Sequence, residues 1–245
     1  MKNLLMYVNP LREFDDETKT LVKIQIDNSL ELGWKPEDIL LVTNFPYEYN
    51  GIKAFLVGDE NYNTILKQGT KIDTMCTLFD LGFFKEGELY WGHDFDAYQQ
   101  EWITEEELDL GDKMGFTDYG RHERWNGGSF FFRSTDGDFF KKTKKMMYAE
   151  HINEEDVYMV LMKEEPDYMD KQVKRLNISY NFGMRKVGLC YEKALKPLKV
   201  LHFHPYRRYW ARTRAIDIAM YGQNDIKKPL MSDRLIKIFQ KHNVI

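Results

Sequence analysis

The sequence predicts an α/β protein: a mixed, mostly parallel sheet flanked by helices, followed by a helical C-terminal extension. Three observations carry this. Short apolar runs alternate with amphipathic stretches through the first half of the chain. A polar residue stands directly after each run, at Asn9, Asn44, Asp59 and Asp94. The second half gives up the alternation and reads largely as successive helices. Strands alternating with helices argue for a sheet with helices on its faces. In such sheets ligands bind beyond the carboxyl ends of the strands, which is where those polar residues fall.

"NLLMYVN" (3–9) is an apolar run of strand length. Asp15, Asp16 and Glu17 place acid at a helix start, where the dipole favours it. Val22, Ile26 and Leu30 continue that helix at four-residue spacing, and Gly33 with Pro36 stops it. "DILLVTN" (38–44) and "KAFLVGD" (53–59) are the next strands. Thr70 and Asp73 have the spacing of a capping box. Ile72, Met75, Cys76 and Phe79 then form one helical face, closed by Gly82. "GELYWGHDFD" is a fourth strand that runs into an acidic pair. "WNGGSFFFRS" (125–134) is a turn feeding a strand whose three phenylalanines read as core. Helices are expected at 136–149, 154–164 and 167–175, a strand at "LKVLHFHP" (198–205), and a last helix at 232–241 capped by Ser232.

Composition sets the frame. The chain has 245 residues, 43% hydrophobic and 30% charged, with a net charge of −4. This is an ordinary globular composition with no global basic field of the kind that marks nucleic-acid binders. No apolar run approaches a membrane span and no signal peptide opens the chain, so a soluble, cytoplasmic protein is expected. Cys76 and Cys190 sit among apolar neighbours and read as buried, reduced thiols.

Four constellations carry chemistry. Asp94-Phe95-Asp96 puts two carboxylates at i and i+2, on one side of a strand end, where they can share a hard divalent cation. The competing reading is a solvated acidic turn. His202 and His204 alternate in the same way, and one imidazole can add a nitrogen ligand that favours Mn²⁺ over Mg²⁺, His202 being preferred. Glu154, Glu155 and Asp156 follow Asn153. They serve either as first-turn acids of a capped helix or, one of them, as a carboxylate aimed into a cleft. Asn126, Gly127 and Gly128 form a turn where backbone can approach a ligand closely, and Trp125 beside them is either a stacking platform or core. Of the basic groups, "KKTKK" (141–145) reads as a solvated helix face. Arg207 or Arg208 follows the histidines closely enough to reach a phosphate.

Taken in order, "LLMYVN", "DILLVTN", "TKIDTMCTLFD", "LYWGHDFDA", "WNGGSFFFRS", "NEEDVYMVL", "LNISYN" and "VLHFHP" resemble the nucleotide-sugar-binding glycosyltransferases of the GT-A, Rossmann-like fold. The resemblance is one of pattern and order over residues 1 to 205, so 1–205 is expected as the catalytic domain and 206–245 as an extension, a lid or an acceptor contact. It departs at Trp91, Gly92 and His93, where the family more often shows an unbroken apolar strand. The resemblance implies a sugar transferred from a nucleoside-diphosphate donor, a UDP-sugar, with Mn²⁺ or Mg²⁺. It implies that Asp94 contacts ribose and metal, that Asp96 binds the metal, and that His202 or His204 is the third ligand. Tyr7, Val8 and Asn9 would lie against the nucleobase, and Lys71 would reach a diphosphate or sugar hydroxyl. Asn126, Gly127 and Gly128 would line the sugar site, and Glu155 or Asp156 would be the base or hold the acceptor. A glycan, a protein or a modified DNA base is left open as acceptor. A metal-dependent phosphohydrolase or nucleotidyltransferase, and a non-catalytic nucleotide or glycan binder, are the alternatives.

Overall fold

A computed structural model describes residues 1–120, 122–184, 187–203, 216–222 and 230–245. Its main sheet contains β1 (Lys2–Tyr7), β2 (Ile39–Thr43), β3 (Glu48–Tyr49), β4 (Ile52–Leu56) and β5 (Leu89–His93). A three-residue β6 (Ala97–Gln99) belongs elsewhere; β7 (Met114–Asp118), β8 (Trp125–Arg133) and β9 (Val173–Arg175) complete the main sheet. The order is β3-β4-β2-β1-β5-β8-β7-β9. Strands β4, β2, β1 and β5 run parallel, and β8 lies antiparallel between β5 and β7. A second, small sheet joins β10 (Phe182–Gly183), β11 (Val200–His202) and β6. Among the described helices are α1 (Asp16–Leu32), α2 (Thr70–Asp80), the single turn α3 (Glu105–Leu108), α4 (Gly137–Glu150), α5 (Glu154–Glu164), α6 (Pro166–Gln172) and a C-terminal helix (Asp233–Lys241).

Capping residues explain several helix limits. Asp15 accepts from the Thr18 amide at 2.7 Å to start α1. Gly33 at φ 106° ends it, its N–H bonded to Leu30 and that of Trp34 to Ser29. The Ser232 hydroxyl accepts from the Leu235 amide, as its position before the last helix predicts. Val22 and Ile26 of α1 are buried with Leu5, Leu41 and Trp91 on one face of the sheet. On the other face α2, α4 and α5 bury Met75, Phe140 and Val157 against Leu4, Val42, Phe130 and Phe132. The phenylalanines of β8 are core, and Cys76 and Cys190 are buried free thiols.

Two expectations fail for physical reasons. Thr70 and Asp73 form no capping box. The Thr70 hydroxyl accepts from the Asn63 amide, while Asp73 is buried and takes tertiary donors, Asn63 and Tyr148, each at 2.9 Å, with Lys144 at 2.8 Å. The helix expected at 167–175 stops at Gln172, because Val173 is drawn into parallel pairing with Met114 at the sheet edge. An unforeseen hairpin joins β3 to β4 through Asn50-Gly51, both at positive φ, the tight-turn geometry that Asn-Gly favours. "KKTKK" lies on α4 with Lys141 and Lys145 exposed, as expected of a solvated face, and Lys141 pairs with Asp80 and Lys142 with Glu165.

The C-terminal helix is tied to α1 through one carboxylate. Asp27, 3% exposed, accepts from Tyr49, Asn50, Lys241 and His242 at 2.6 to 3.1 Å. Arg234 adds bonds to the Gln99 and Gln100 carbonyls. Burial alone would push the Asp27 carboxyl up, but the bonds from Lys241 and His242 outweigh it and hold it below the ordinary range. Asp27→Ala is therefore expected to lower stability by about 1–3 kcal/mol, read by denaturant unfolding. The depressed group contributes fully above its unfolded-state value of about 3.9. That contribution is lost as the pH falls through the lower folded value, so the gap between wild type and variant should close in acid. Among the described residues no helix is long and apolar enough to cross a membrane.

Candidate metal and nucleotide site

Strand β5 is buried along its length and delivers the acidic pair to the carboxyl end of the sheet. The unusual Trp91-Gly92-His93 has a packing reason. Trp91 donates to the Ser129 hydroxyl at 2.8 Å and stacks on His93, which bonds Asn3 at 2.7 Å. Burial depresses the His93 pKa to about 4, so this ring is a neutral structural group. A Cβ on Gly92 would meet the Phe130 ring at 2.6 Å, so only glycine fits there.

Asp94-Phe95-Asp96 is a turn, not the continuation of the strand. The Ala97 N–H closes it onto the Asp94 carbonyl at 3.0 Å, and the Asp94 N–H donates to Gly128. Gln25, buried in α1, clamps it from below through the Phe95 and Ala97 carbonyls at 2.9 and 2.8 Å. The carboxylates thus converge by chain reversal rather than by strand alternation. The small sheet supplies the third group. His202 pairs in register with Ala97, and the Phe203 N–H donates to the Asp96 carbonyl.

Asp94, Asp96 and His202 each offer an atom within 4.8 Å of the others. His202 Nε2 lies 3.3 Å from Asp96 and 3.9 Å from Asp94, and its Nδ1 is bonded to Asn181 at 2.9 Å. That second bond fixes the ring with Nε2 toward the carboxylates, the usual support of a ligating histidine. Asp96 is 6% exposed, and its Oδ2 is buried without a hydrogen-bond partner among the described residues. A buried carboxylate oxygen left unpaired is costly, and a cation there would satisfy it. Two carboxylates and an imidazole suit Mn²⁺ or Mg²⁺, with the nitrogen favouring Mn²⁺.

A cleft of about 480 Å³ opens over this group. Tyr7, Val8, Lys71, Glu154, Asp94 and Asp96 are among the residues in its wall. Lys71 forms an ion pair with Asp94 and donates to the Gly127 carbonyl at 3.0 Å. Burial opposes charge on this ammonium, but Asp94 and Glu154 outweigh it and raise its pKa. Burial pushes the Glu154 carboxyl up to about 7, against the pull of Lys71.

The other expected residues lie around this centre in different roles. Asn9 is not in the cleft lining. Its backbone and side chain bond Asn44, Tyr7 and Glu13, and Asn44 in turn bonds Asp59. Three of the four polar residues at strand ends thus brace one another. Asn126 accepts from the Gly128 amide at 2.9 Å, and Gly128 packs against the His202 ring. Asn153 caps α5 as expected. Within the acidic run it is Glu154 that lines the cleft. Glu155 accepts from the Gly127 amide, Tyr119 and Arg124, and Asp156 pairs with Arg124 at 3.1 Å. Trp125 is buried, with the Arg175 guanidinium 4.0 Å from its ring. His204 and Arg207 lie outside the described residues. Gln25 and Asn181, which hold the turn and the histidine, carried no sequence signal beyond Gln25's place on the inward face of α1.

No family model and no curated protein matches the chain. Solved structures do. A glycosyltransferase involved in glycosylation of the major capsid of PBCV-1 superposes with a TM-score of 0.55 at 12% identity, covering 88% of this chain and 98% of that one. The galactosyltransferase LgtC, solved with donor and acceptor sugar analogs, gives 0.59 at 12% identity over 89% and 95%. The glycosyltransferase GlyE of Streptococcus pneumoniae TIGR4 gives 0.57 at 15% identity over 98% of this chain and 64% of that one. The chain has the GT-A-type fold of these proteins.

Proposed function

We propose that this chain is a glycosyltransferase that moves a sugar from a nucleoside-diphosphate donor, a UDP-sugar, with the help of Mn²⁺ or Mg²⁺. The observation that carries the reading is the convergence of Asp94, Asp96 and His202 at the carboxyl end of a GT-A-type sheet, with the two carboxylates in the wall of the cleft. These three residues would hold the ion. When bound, it supplies positive charge to the diphosphate as that group leaves.

The chain's own groups do the rest. Tyr7 and Val8 offer an apolar wall to the nucleobase. Lys71, held as a cation beside Asp94, adds positive charge where a diphosphate oxygen would sit, a fixed charge that costs no reorganisation during reaction. Glu154 is assigned the role that the resemblance implied for Glu155 or Asp156: it lines the cleft and would act either as base or as the group that holds the acceptor hydroxyl. Glu155 holds the Gly127 amide and the hairpin between β7 and β8, so it positions the sugar-binding turn of Asn126 to Gly128. Residues 1–205 would form the catalytic domain and 206–245 an extension packed on it. LgtC was solved with sugar analogs, and we take the acceptor here to be a glycan as well; a protein or a modified DNA base would use the same donor chemistry.

The test is a panel of nucleotide sugars with Mn²⁺ and no acceptor, read as release of nucleoside diphosphate. Slow release from one donor supports the reading; silence across the panel, with no stabilisation by any nucleotide, overturns it. Glu154→Gln keeps the shape and removes the charge. It is expected to lower kcat on the best donor by at least about tenfold while leaving the melting temperature in place, because positioned acid–base groups contribute about 10² to 10⁴. An unchanged kcat would return the role to Glu155 or Asp156.

A further inference from the structure

The strands that bring Asp96 and His202 together are very short. β6 and β11 have three residues each and β10 has two. Strands usually run to about five or six residues, and pieces this short depend on what packs against them. The C-terminal helix packs there. Leu235, Ile238 and Phe239 recur on one face of it at three- and four-residue spacing. They are buried in one cluster with Tyr98 of β6, Leu201 of β11, Phe203, and Ile24 of α1.

One ring of this helix touches both ligand-bearing segments. Phe239 lies 5.1 Å from the ring of Tyr98, which follows Asp96 by two residues. It lies 6.0 Å from the ring of Phe203, which follows His202 directly. Tyr98 and Phe203 meet each other at 5.7 Å. Arg234 fastens the helix from its polar side. Its guanidinium donates to the Gln100 carbonyl at 2.7 Å, and to the Gln99 carbonyl and Asn28 Oδ1 at 3.2 Å each. The Ser232 N–H donates to Gln100 Oε1 at 2.7 Å. These bonds grip the chain where β6 ends, three residues beyond Asp96, while Lys241 and His242 hold the other end of the helix to Asp27.

We propose that the C-terminal helix sets the affinity of the metal group, with Arg234 and Phe239 as positioning residues that keep Asp96 and His202 at ligating distance. The proposal rests on the reading of Asp94, Asp96 and His202 as that group. Ligands drawn from two segments bind an ion well only if both segments are held in place beforehand. Phe239 does this by packing on a neighbour of each ligand, and Arg234 by fixing the end of the strand that leaves the turn. The coupling runs both ways. An ion that joins Asp96 to His202 also holds Tyr98 and Phe203 in place beneath Phe239, so ion and docked helix strengthen each other by one factor.

The probe is Mn²⁺ alone, titrated calorimetrically into the full-length chain and its variants. Arg234→Met keeps an apolar stem and removes the carbonyl bonds; Phe239→Leu keeps the site apolar and removes the ring. Each should raise the Mn²⁺ Kd by at least about fivefold, toward the 10- to 100-fold loss typical when a ligand's support is removed. Met169→Ala controls for stability. It truncates a buried side chain of α6 on the other face of the sheet, so it should lower the denaturation midpoint and leave the Kd within about twofold. Amide exchange of the wild type supplies a readout that needs no variant. Saturating Mn²⁺ should slow exchange in Leu235–Lys241 by about fivefold or more, and by more than in α6, since protection reports the local opening of each element. A wild type that binds no Mn²⁺ overturns the metal reading and the proposal together. A wild type that binds Mn²⁺ overturns the proposal alone if exchange in the C-terminal helix slows no more than in α6, if the folded Arg234 and Phe239 variants keep the wild-type Kd, or if Met169→Ala weakens Mn²⁺ as much as they do.

Discussion

Asp96→Ala is expected to abolish metal-dependent donor cleavage, lowering it by at least about 10²-fold, and to weaken Mn²⁺ binding in parallel. The argument starts from burial. Asp96 is almost fully enclosed, 3.3 Å from His202, in a turn held by Gln25 on one side and by Phe203 on the other. Its Oδ2 has no hydrogen-bond partner among the described residues. A carboxylate kept in that state costs stability unless it serves a ligand. The turn itself is closed by backbone bonds, Ala97 to Asp94 and Phe203 to Asp96, which survive loss of the side chain. The melting temperature without metal should therefore stay near that of the wild type, or rise. The informative combination is lost stabilisation by Mn²⁺ with an unchanged far-ultraviolet spectrum. Asp96→Asn separates charge from shape and should fail in the same way. Full activity in either variant would remove Asp96 from the metal.

Gly128→Ala should produce the second large effect, through a residue with no side chain to offer. A Cβ at Gly128 would stand 2.0 Å from His202 Cε1 and 2.5 Å from Nδ1. The ring cannot simply rotate away. It is 3% exposed, its Nδ1 is tied to Asn181, and β11 is paired to β6 and β10 on both sides. The added methyl must move either the imidazole or β8. Overpacking of this kind costs about 1–3 kcal/mol. Displacing a ligand's support typically costs about 10- to 100-fold in metal affinity. Equilibrium unfolding and Mn²⁺ titration of the same sample would read both. Gly127→Ala is the control: a Cβ there meets nothing closer than 3.4 Å, the Glu154 Oε1, so the metal affinity should stay within a few-fold of wild type. Equal effects at the two glycines would mean that His202 is not held against Gly128 as described.

Much of the fold was legible because its signals are local. Apolar runs marked β1, β2 and β5, and the caps at Asp15, Gly33, Asn153 and Ser232 marked helix limits. The acidic pair and His202 were legible as residue types, but the reason they meet was not. Alternation along a strand suggested same-side carboxylates, whereas a backbone turn and a strand arriving from the far end of the chain bring them together. The small sheet β10-β11-β6 depends on pairing β11 with a strand more than a hundred residues earlier, which no local pattern encodes. The acidic run shows the same limit. One turn of helix points its three carboxylates in different directions, so Glu154 reaches the cleft while Glu155 and Asp156 turn to Arg124. Asn9 illustrates the converse: a polar residue at a strand end whose hydrogen bonds are used within the loop.

The central claim is that Asp94, Asp96 and His202 bind a divalent ion that in turn binds a nucleoside diphosphate. Thermal unfolding of the full-length chain with Mn²⁺ alone, UDP alone and the two together tests it most directly. Each ligand that binds the native state raises apparent stability by mass action, and ligands that meet at one site stabilise together by more than the sum. The account predicts a joint shift larger than the two separate shifts added, lost on chelation and lost in Asp96→Ala. A UDP shift that is the same with and without Mn²⁺, or no shift at all, would contradict it.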